Sequence, residues 1–232
     1  MRTSQRWNAT LAAIVALALV SQIGIAVGAP AFPAGHAVGT LRGTNVFGRI
    51  VRVLSFFTIQ SNILITVAAA TLALRPDRDG PWWRPLRTAG LIGITVTGIV
   101  YTTVLAKVHE PHGWAETTTN FVFHFLAPLG IAVGWLLFGP RPRISGRAWL
   151  ALLWPCAWFA WTLAHGATTD WYPYPFVDVV THGYAVVLRN AAAVIAVLAA
   201  VAGLFAWGDR ALPRSPRSDA PSPSAGAVEP TA

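Results

Sequence analysis

Thr58 and His124 stand inside two of the chain's apolar runs and are the residue types of a nucleophile and its base. A Thr hydroxyl attacks poorly until a neighbouring group takes its proton, and neutral His is the usual acceptor. Each has an Asn one helical turn away, Asn62 after Thr58 and Asn120 before His124, whose amides suit a developing oxyanion. Arg52, His165, His182 and Arg189 are the substrate-binding candidates, and an Arg among them suits an anionic group of a substrate. The rival use of three of these groups is a zinc or iron site built from His124, His165 and His182. No His-x-x-His or Glu-x-x-His spacing supports it, Asp and Glu are nearly absent from the apolar runs, and Cys156 is the only cysteine. Neither a metal nor another cofactor is expected.

Spacing says which face carries these groups. Inside hydrocarbon a polar side chain costs energy and faces the bundle interior or a cavity. Arg52, Ser55, Thr58, Asn62 and Thr66 follow one another at steps of 3, 3, 4 and 4, a single stripe along a helix. Asn120, His124 and Pro128 are spaced by four, and Thr88, Thr95, Thr102 and His109 by seven. At 1.5 Å per residue, Thr58 lies roughly 12 Å and His124 roughly 9 Å from the outer ends of their helices. His165, His182 and Arg189 also fall near outer ends, so the expected site lies in the outer half of the bundle. Thr95, Thr102 and Thr162 are expected to bond their own backbone or a neighbouring helix. The Trp residues around Trp158 are expected to pack or to anchor at the interface, and Arg49 to snorkel outward. Arg189 calls for a partner, which Asp178 or an anionic substrate would supply.

The elements that must carry these residues are membrane spans. Of 232 residues, 54% are hydrophobic and 11% charged, against roughly 25% charged in an ordinary soluble domain. About 20 apolar residues cross a bilayer, and six such runs are present: about 9–28, 50–74, 88–108, 118–138, 148–166 and 181–207. The fold class expected is therefore all-α, an integral membrane six-helix bundle in the cell membrane. For the first run, a signal peptide cut within Gly28–Ala31 is the alternative to a retained helix. With the N-terminus inside, 12 of the 17 basic residues fall on cytoplasmic segments and five (Arg42, Arg49, Arg52, Lys107, Arg189) on outer segments or in spans. That bias puts both termini in the cytoplasm, with residues 1–8 before the bundle and 208–232 as a disordered tail. The net charge of +8 is spread between the apolar runs, so nucleic acid is not an expected partner. The expected partners are membrane lipids and a lipid or other amphipathic small molecule.

Three segments carry a resemblance. They are Phe56-Phe57-Thr58-Ile59-Gln60-Ser61-Asn62, then Asn120-Phe121-Val122-Phe123-His124 with Pro128, then Trp171-Tyr172-Pro173-Tyr174-Pro175-Phe176-Val177-Asp178. In this order the chain resembles an actinobacterial member of the androgen-induced protein / androgen-dependent TFPI-regulating protein family, over about residues 52–189. The resemblance implies a six-helix membrane protein that hydrolyses fatty acid esters of hydroxy fatty acids. It also implies an intramembrane Thr nucleophile at Thr58 and a His at His124. The pattern departs from that family at three places. Phe121 stands where the animal proteins have a second His, His124 precedes Pro128 by four residues rather than five, and Tyr-Pro occurs twice in the third segment. Two non-hydrolytic readings stand beside this one: a carrier or binding protein for an amphipathic molecule, and a structural membrane protein whose polar stripe only joins helices.

Overall fold

A chain in hydrocarbon must satisfy its backbone within each segment, so long apolar runs fold as helices. The computed structural model describes residues 2–29, 38–139 and 146–212, and every regular element among them is helical. The α-helices are α1 (Thr3–Gly28), α2 (Val46–Ser55), α3 (Phe57–Leu74), α4 (Trp83–Thr103), α5 (Gly113–Phe121), α6 (Ala127–Phe138), α7 (Leu153–Thr169) and α8 (Val179–Ala211). A π-helical turn, Val122–Leu126, joins α5 and α6 into one rod, and 3-10 turns lie at Leu105–Lys107, Gly146–Leu152 and Pro175–Val177. Among the described residues five helices are long and apolar enough to cross a membrane: α1, α3, Trp83–Lys107, the rod Gly113–Phe138 and α8. The fifth predicted run folds as the 3-10 segment followed by α7, whose 17 residues are shorter than those five.

Two of the expected runs are interrupted, and one helix runs past its expected end. The second run is not one helix, because Phe56 is extended and separates α2 from α3. The sixth carries a break at Gly183, whose φ of 72° lies in the left-handed region that glycine enters without a Cβ penalty. Its helix continues to Ala211, so the first residues of the expected tail are helical. The remainder of that tail, residues 213–232, lies outside the described residues, as do residues 30–37 of the outer loop and 140–145 with Arg141 and Arg143.

The bundle is built outward from α3 and α4. α1 runs antiparallel to α3: Gln5 near its start donates to the carbonyl of Ala73 at 2.9 Å. Leu11 and Val15 of α1 are buried with Ile59 and Ile65 of α3, so the first run is an integral part of the core. On the other side, Leu91, Ile92 and Val96 of α4 pack against Trp135 of the rod and Leu198, Val201 and Phe205 of α8.

Arg49 does not snorkel. It is 6% exposed and its guanidinium donates to the carbonyls of Ala29 (2.5 Å) and Val27 (3.1 Å), closing the C-terminal end of α1. Charged donors at a helix C-terminus meet both the unpaired carbonyls and the negative end of the dipole. Arg49→Met is expected to lower stability by about 2 kcal/mol, since hydrogen bonds from charged groups contribute about 1.5–3. Thermal unfolding followed by circular dichroism in detergent checks this, and an unchanged transition would show that the cap is dispensable.

Candidate active site

The break at Phe56 makes the site. With Phe56 at φ −70° and ψ 128°, backbone groups on both sides lose their helical partners. In an apolar bundle such groups must be paired elsewhere in the protein. α7 and the segment after it do this. Trp158 Nε1 donates to the Ser55 carbonyl and Trp161 Nε1 to Ser55 Oγ, both at 2.9 Å. Gln60 Nε2 reaches back to the Leu54 carbonyl, and Trp154 Nε1 holds Gln60 Oε1, again at 2.9 Å. On the α3 side, the Thr58 N–H donates to the phenol oxygen of Tyr174 at 3.0 Å. The tryptophans expected only to pack or anchor thus donate the hydrogen bonds that hold the break open.

Thr58 is the second residue of α3 and is 7% exposed. Its Oγ1 lies 3.4 Å from His124 Nε2 and 3.1 Å from the Tyr174 hydroxyl. His124 sits in the π turn of the rod, a local widening that occurs often at functional sites. Pro128 follows in the next turn and brings no N–H to the His124 carbonyl. It packs on Gly98 of α4, where a Cβ would stand 3.0 Å from the Pro128 Cβ. Tyr101 stacks on the imidazole, with ring centroids 3.8 Å apart and planes 18° from parallel.

The proton positions follow from the partners. His124 Nδ1 lies 3.1 Å from the Asn120 carbonyl, which only accepts, so Nδ1 carries the hydrogen. In a neutral ring Nε2 is then the acceptor, and Thr58 Oγ1–H donates to it. Among the described residues no carboxylate orients this imidazole; the Asn120 carbonyl does. The Tyr174 oxygen accepts the Thr58 N–H, and its own O–H points to Thr58 Oγ1. Burial pushes the Tyr174 phenol up to about 12, so it stays protonated and able to donate. Sequence reasoning placed Tyr174 in a landmark segment and gave it no role. The signal available was a pair of tyrosines, Tyr172 and Tyr174, interleaved with prolines in that segment.

The asparagines are placed beside this pair but turned into the scaffold. Asn62 Nδ2 donates to the Thr58 carbonyl at 2.8 Å and Asn120 Nδ2 to the Tyr101 hydroxyl at 2.7 Å. The buried atoms left over, Asn62 Oδ1 and Asn120 Oδ1, have no hydrogen-bond partner among the described residues and are acceptors, the wrong polarity for an oxyanion. Thr95 and Thr102 bond back to Leu91 and Gly98 of their own helix, both at 2.8 Å.

Thr58 and Tyr174 form part of the wall of a cavity of about 500 Å³, within the roughly 300–1,000 Å³ usual for small-molecule sites. α4, α7 and α8 contribute most of its lining, which is apolar apart from Thr58, Thr97, Cys156 and Tyr174. The exposed lining residues Cys156, Ala160, Ile195 and Ala199 mark a mouth between α7 and α8, on the flank of the bundle rather than at its end.

The four proposed substrate-binding residues divide. Arg52 and His165 lie on either side of Trp171, the Arg52 guanidinium 5.4 Å and the His165 ring 5.6 Å from its ring. Arg52 also donates to the carbonyls of Thr40 (3.3 Å) and Arg42 (2.6 Å). Phe56 stands between this cluster and the site, with its ring against both Trp171 and Tyr174. His182 and Arg189 are exposed and are not gathered to Thr58. Among the described residues no three His, Cys, Asp or Glu side chains come together as a metal site requires.

No protein-family model, curated protein or solved structure matches this chain.

Proposed function

We propose that this membrane protein is a lipid-ester hydrolase with Thr58 as nucleophile and His124 as general base. The observation that carries the reading is the Thr58 Oγ1 to His124 Nε2 approach of 3.4 Å, at the wall of an apolar cavity. Such contacts are often long before substrate binds and tighten in the reacting complex. Thr58 Oγ1 attacks the ester carbonyl while its proton passes to His124 Nε2. The tetrahedral intermediate expels the alcohol, which takes the proton back from His124, and water then releases the acid by the same steps in reverse roles. The resemblance to androgen-induced proteins names the substrate class as fatty acid esters of hydroxy fatty acids, and the apolar lining suits an acyl chain.

The arrangement proposed in the cell membrane has six spans and cytoplasmic termini. The 3-10 segment and α7 together cover Gly146–Thr169, of which α7 alone rises about 26 Å. The basic residues favour the cytoplasmic side for both ends. Arg52 and His165 are the groups of this reading that would meet a carboxylate at the outer rim.

A second reading, a carrier for an amphipathic molecule, is favoured by the size of the cavity and its side-facing mouth. The test is release of fatty acid from a palmitoyl ester of hydroxystearic acid by the purified protein in nanodiscs, measured by mass spectrometry. Turnover is expected in the native protein and a loss of about 10³-fold or more in Thr58→Ala. Equal turnover in the two, with both folded, would sink the hydrolase reading, and binding of the ester that survives Thr58→Val without turnover would establish the carrier.

A further inference from the structure

We propose that Tyr174 is a third catalytic residue of this site, donating its phenol hydrogen to the oxyanion that forms when Thr58 attacks. The inference rests on the hydrolase reading and adds what that reading lacks. An ester carbonyl gains negative charge on attack, and preorganised donors at that point commonly account for the largest single share of the acceleration. The two asparagines expected in this role spend their amide hydrogens on the Thr58 carbonyl and the Tyr101 hydroxyl.

The donor that does face the reacting atom is the Tyr174 hydroxyl, 3.1 Å from Thr58 Oγ1. Its orientation is fixed by two constraints. The Thr58 N–H occupies a lone pair of the phenol oxygen at 3.0 Å, so the phenol hydrogen cannot point that way. The Thr58 hydroxyl hydrogen is directed to His124, so Oγ1 presents a lone pair to Tyr174. The ring is itself immobilised, with its edge against Phe56 at 5.5 Å and its face on Phe176 at 5.3 Å. The ring is thus held in place, and only the phenol hydrogen has to turn when charge develops.

The step balances without any further reactant. The Oγ1–C bond forms, the Oγ1 proton moves to His124 Nε2, and the carbonyl π pair moves onto oxygen. As Oγ1 gives up its lone pair to carbon, the phenol hydrogen turns from Oγ1 to the adjacent oxyanion, and Tyr174 keeps its proton throughout. When the alcohol leaves, the pair returns to the carbonyl and the phenol hydrogen returns to Oγ1.

The experiment is hydrolysis of p-nitrophenyl laurate in mixed micelles by the full chain, the Thr58→Ala variant and the Tyr174→Phe variant. Tyr174→Phe is expected to lower kcat about 100-fold, as loss of one oxyanion donor does, with KM within about two-fold and an unchanged melting transition. Tyr174→Phe with kcat within about three-fold of native, while Thr58→Ala is inactive, would overturn the role of Tyr174 and leave the hydrolase reading standing. Thr58→Ala with native turnover overturns both. Should Tyr174→Phe melt early, tetrafluorotyrosine in place of Tyr174 keeps the ring and hydroxyl but makes the phenol far more acidic. The alkaline fall in kcat must then move to lower pH, and an unmoved profile overturns the proposal.

Discussion

His124→Ala is expected to lower kcat about 1,000-fold with little change in KM. The magnitude follows from the contribution of a positioned general base, about 10²–10⁴-fold. The constancy of KM follows from the geometry, because His124 stands behind Thr58 and takes no part in lining the cavity where the acyl chain would lie. His124→Gln is the sharper variant. Gln keeps a similar reach and can pair with Thr58 Oγ1, but it has no basicity with which to take the proton. Single-turnover rates for native, His124→Ala and His124→Gln proteins check this, and a Gln variant as fast as native would show that the imidazole is structural.

The second large effect is on stability. Gly166→Ala places a methyl group 2.1 Å from Cε1 and 2.2 Å from Cζ of Tyr172, a side chain that is 2% exposed. Ala in a helix interior is ordinarily favoured over Gly by about 1 kcal/mol. Here the clash wins, because the obstacle is a buried ring rather than the end of a flexible chain, and overpacking costs about 1–3 kcal/mol, occasionally more. A net loss of about 2 kcal/mol is expected, the upper end of that range less the helix preference for Ala. Tyr172 is two residues from Tyr174, so the substitution also displaces the segment that supplies the phenol to Thr58. Thermal unfolding and turnover measured together check both parts; a more stable Gly166→Ala protein would show that α7 can shift to accept the methyl.

Much of the fold was legible because hydrocarbon leaves so few options. Runs of about 20 mostly apolar residues had to be helical, and among the described residues they are, with two of them interrupted and their limits displaced by several residues. The break at Phe56 was not legible. Neither Pro nor Gly marks it, and its apolar sequence reads as continuous helix. What stabilises it are indoles in α7 and a phenol beyond α7, more than ninety positions away. A depth of roughly 12 Å for Thr58 requires an unbroken helix, whereas Thr58 lies in the first turn of α3. Thr58 Oγ1 and His124 Nε2 nevertheless lie 3.4 Å apart, each on the polar stripe of its own run. His182 and Arg189 were placed inward because they are polar within an apolar run. Near the end of a helix that rule weakens, and both side chains are exposed. The asparagine roles failed to be readable for a different reason. One-turn spacing tells which residues are neighbours, but not whether an amide will spend its hydrogens on its own backbone, as Asn62 does.

The broken second run has a consequence for the order in which the chain matures. Synthesis runs from the N-terminus, and α2 and α3 leave the ribosome long before α7. The Leu54 carbonyl finds its partner six residues later in Gln60, within the same stretch. The Ser55 carbonyl waits 103 residues for Trp158, and the Thr58 N–H waits 116 for Tyr174. Until those arrive the segment has every reason to close as one uninterrupted helix, in which Thr58 sits at another angle. The setting of Thr58 is therefore a late product of assembly, put in place by the last third of the polypeptide rather than by the segment that contains it.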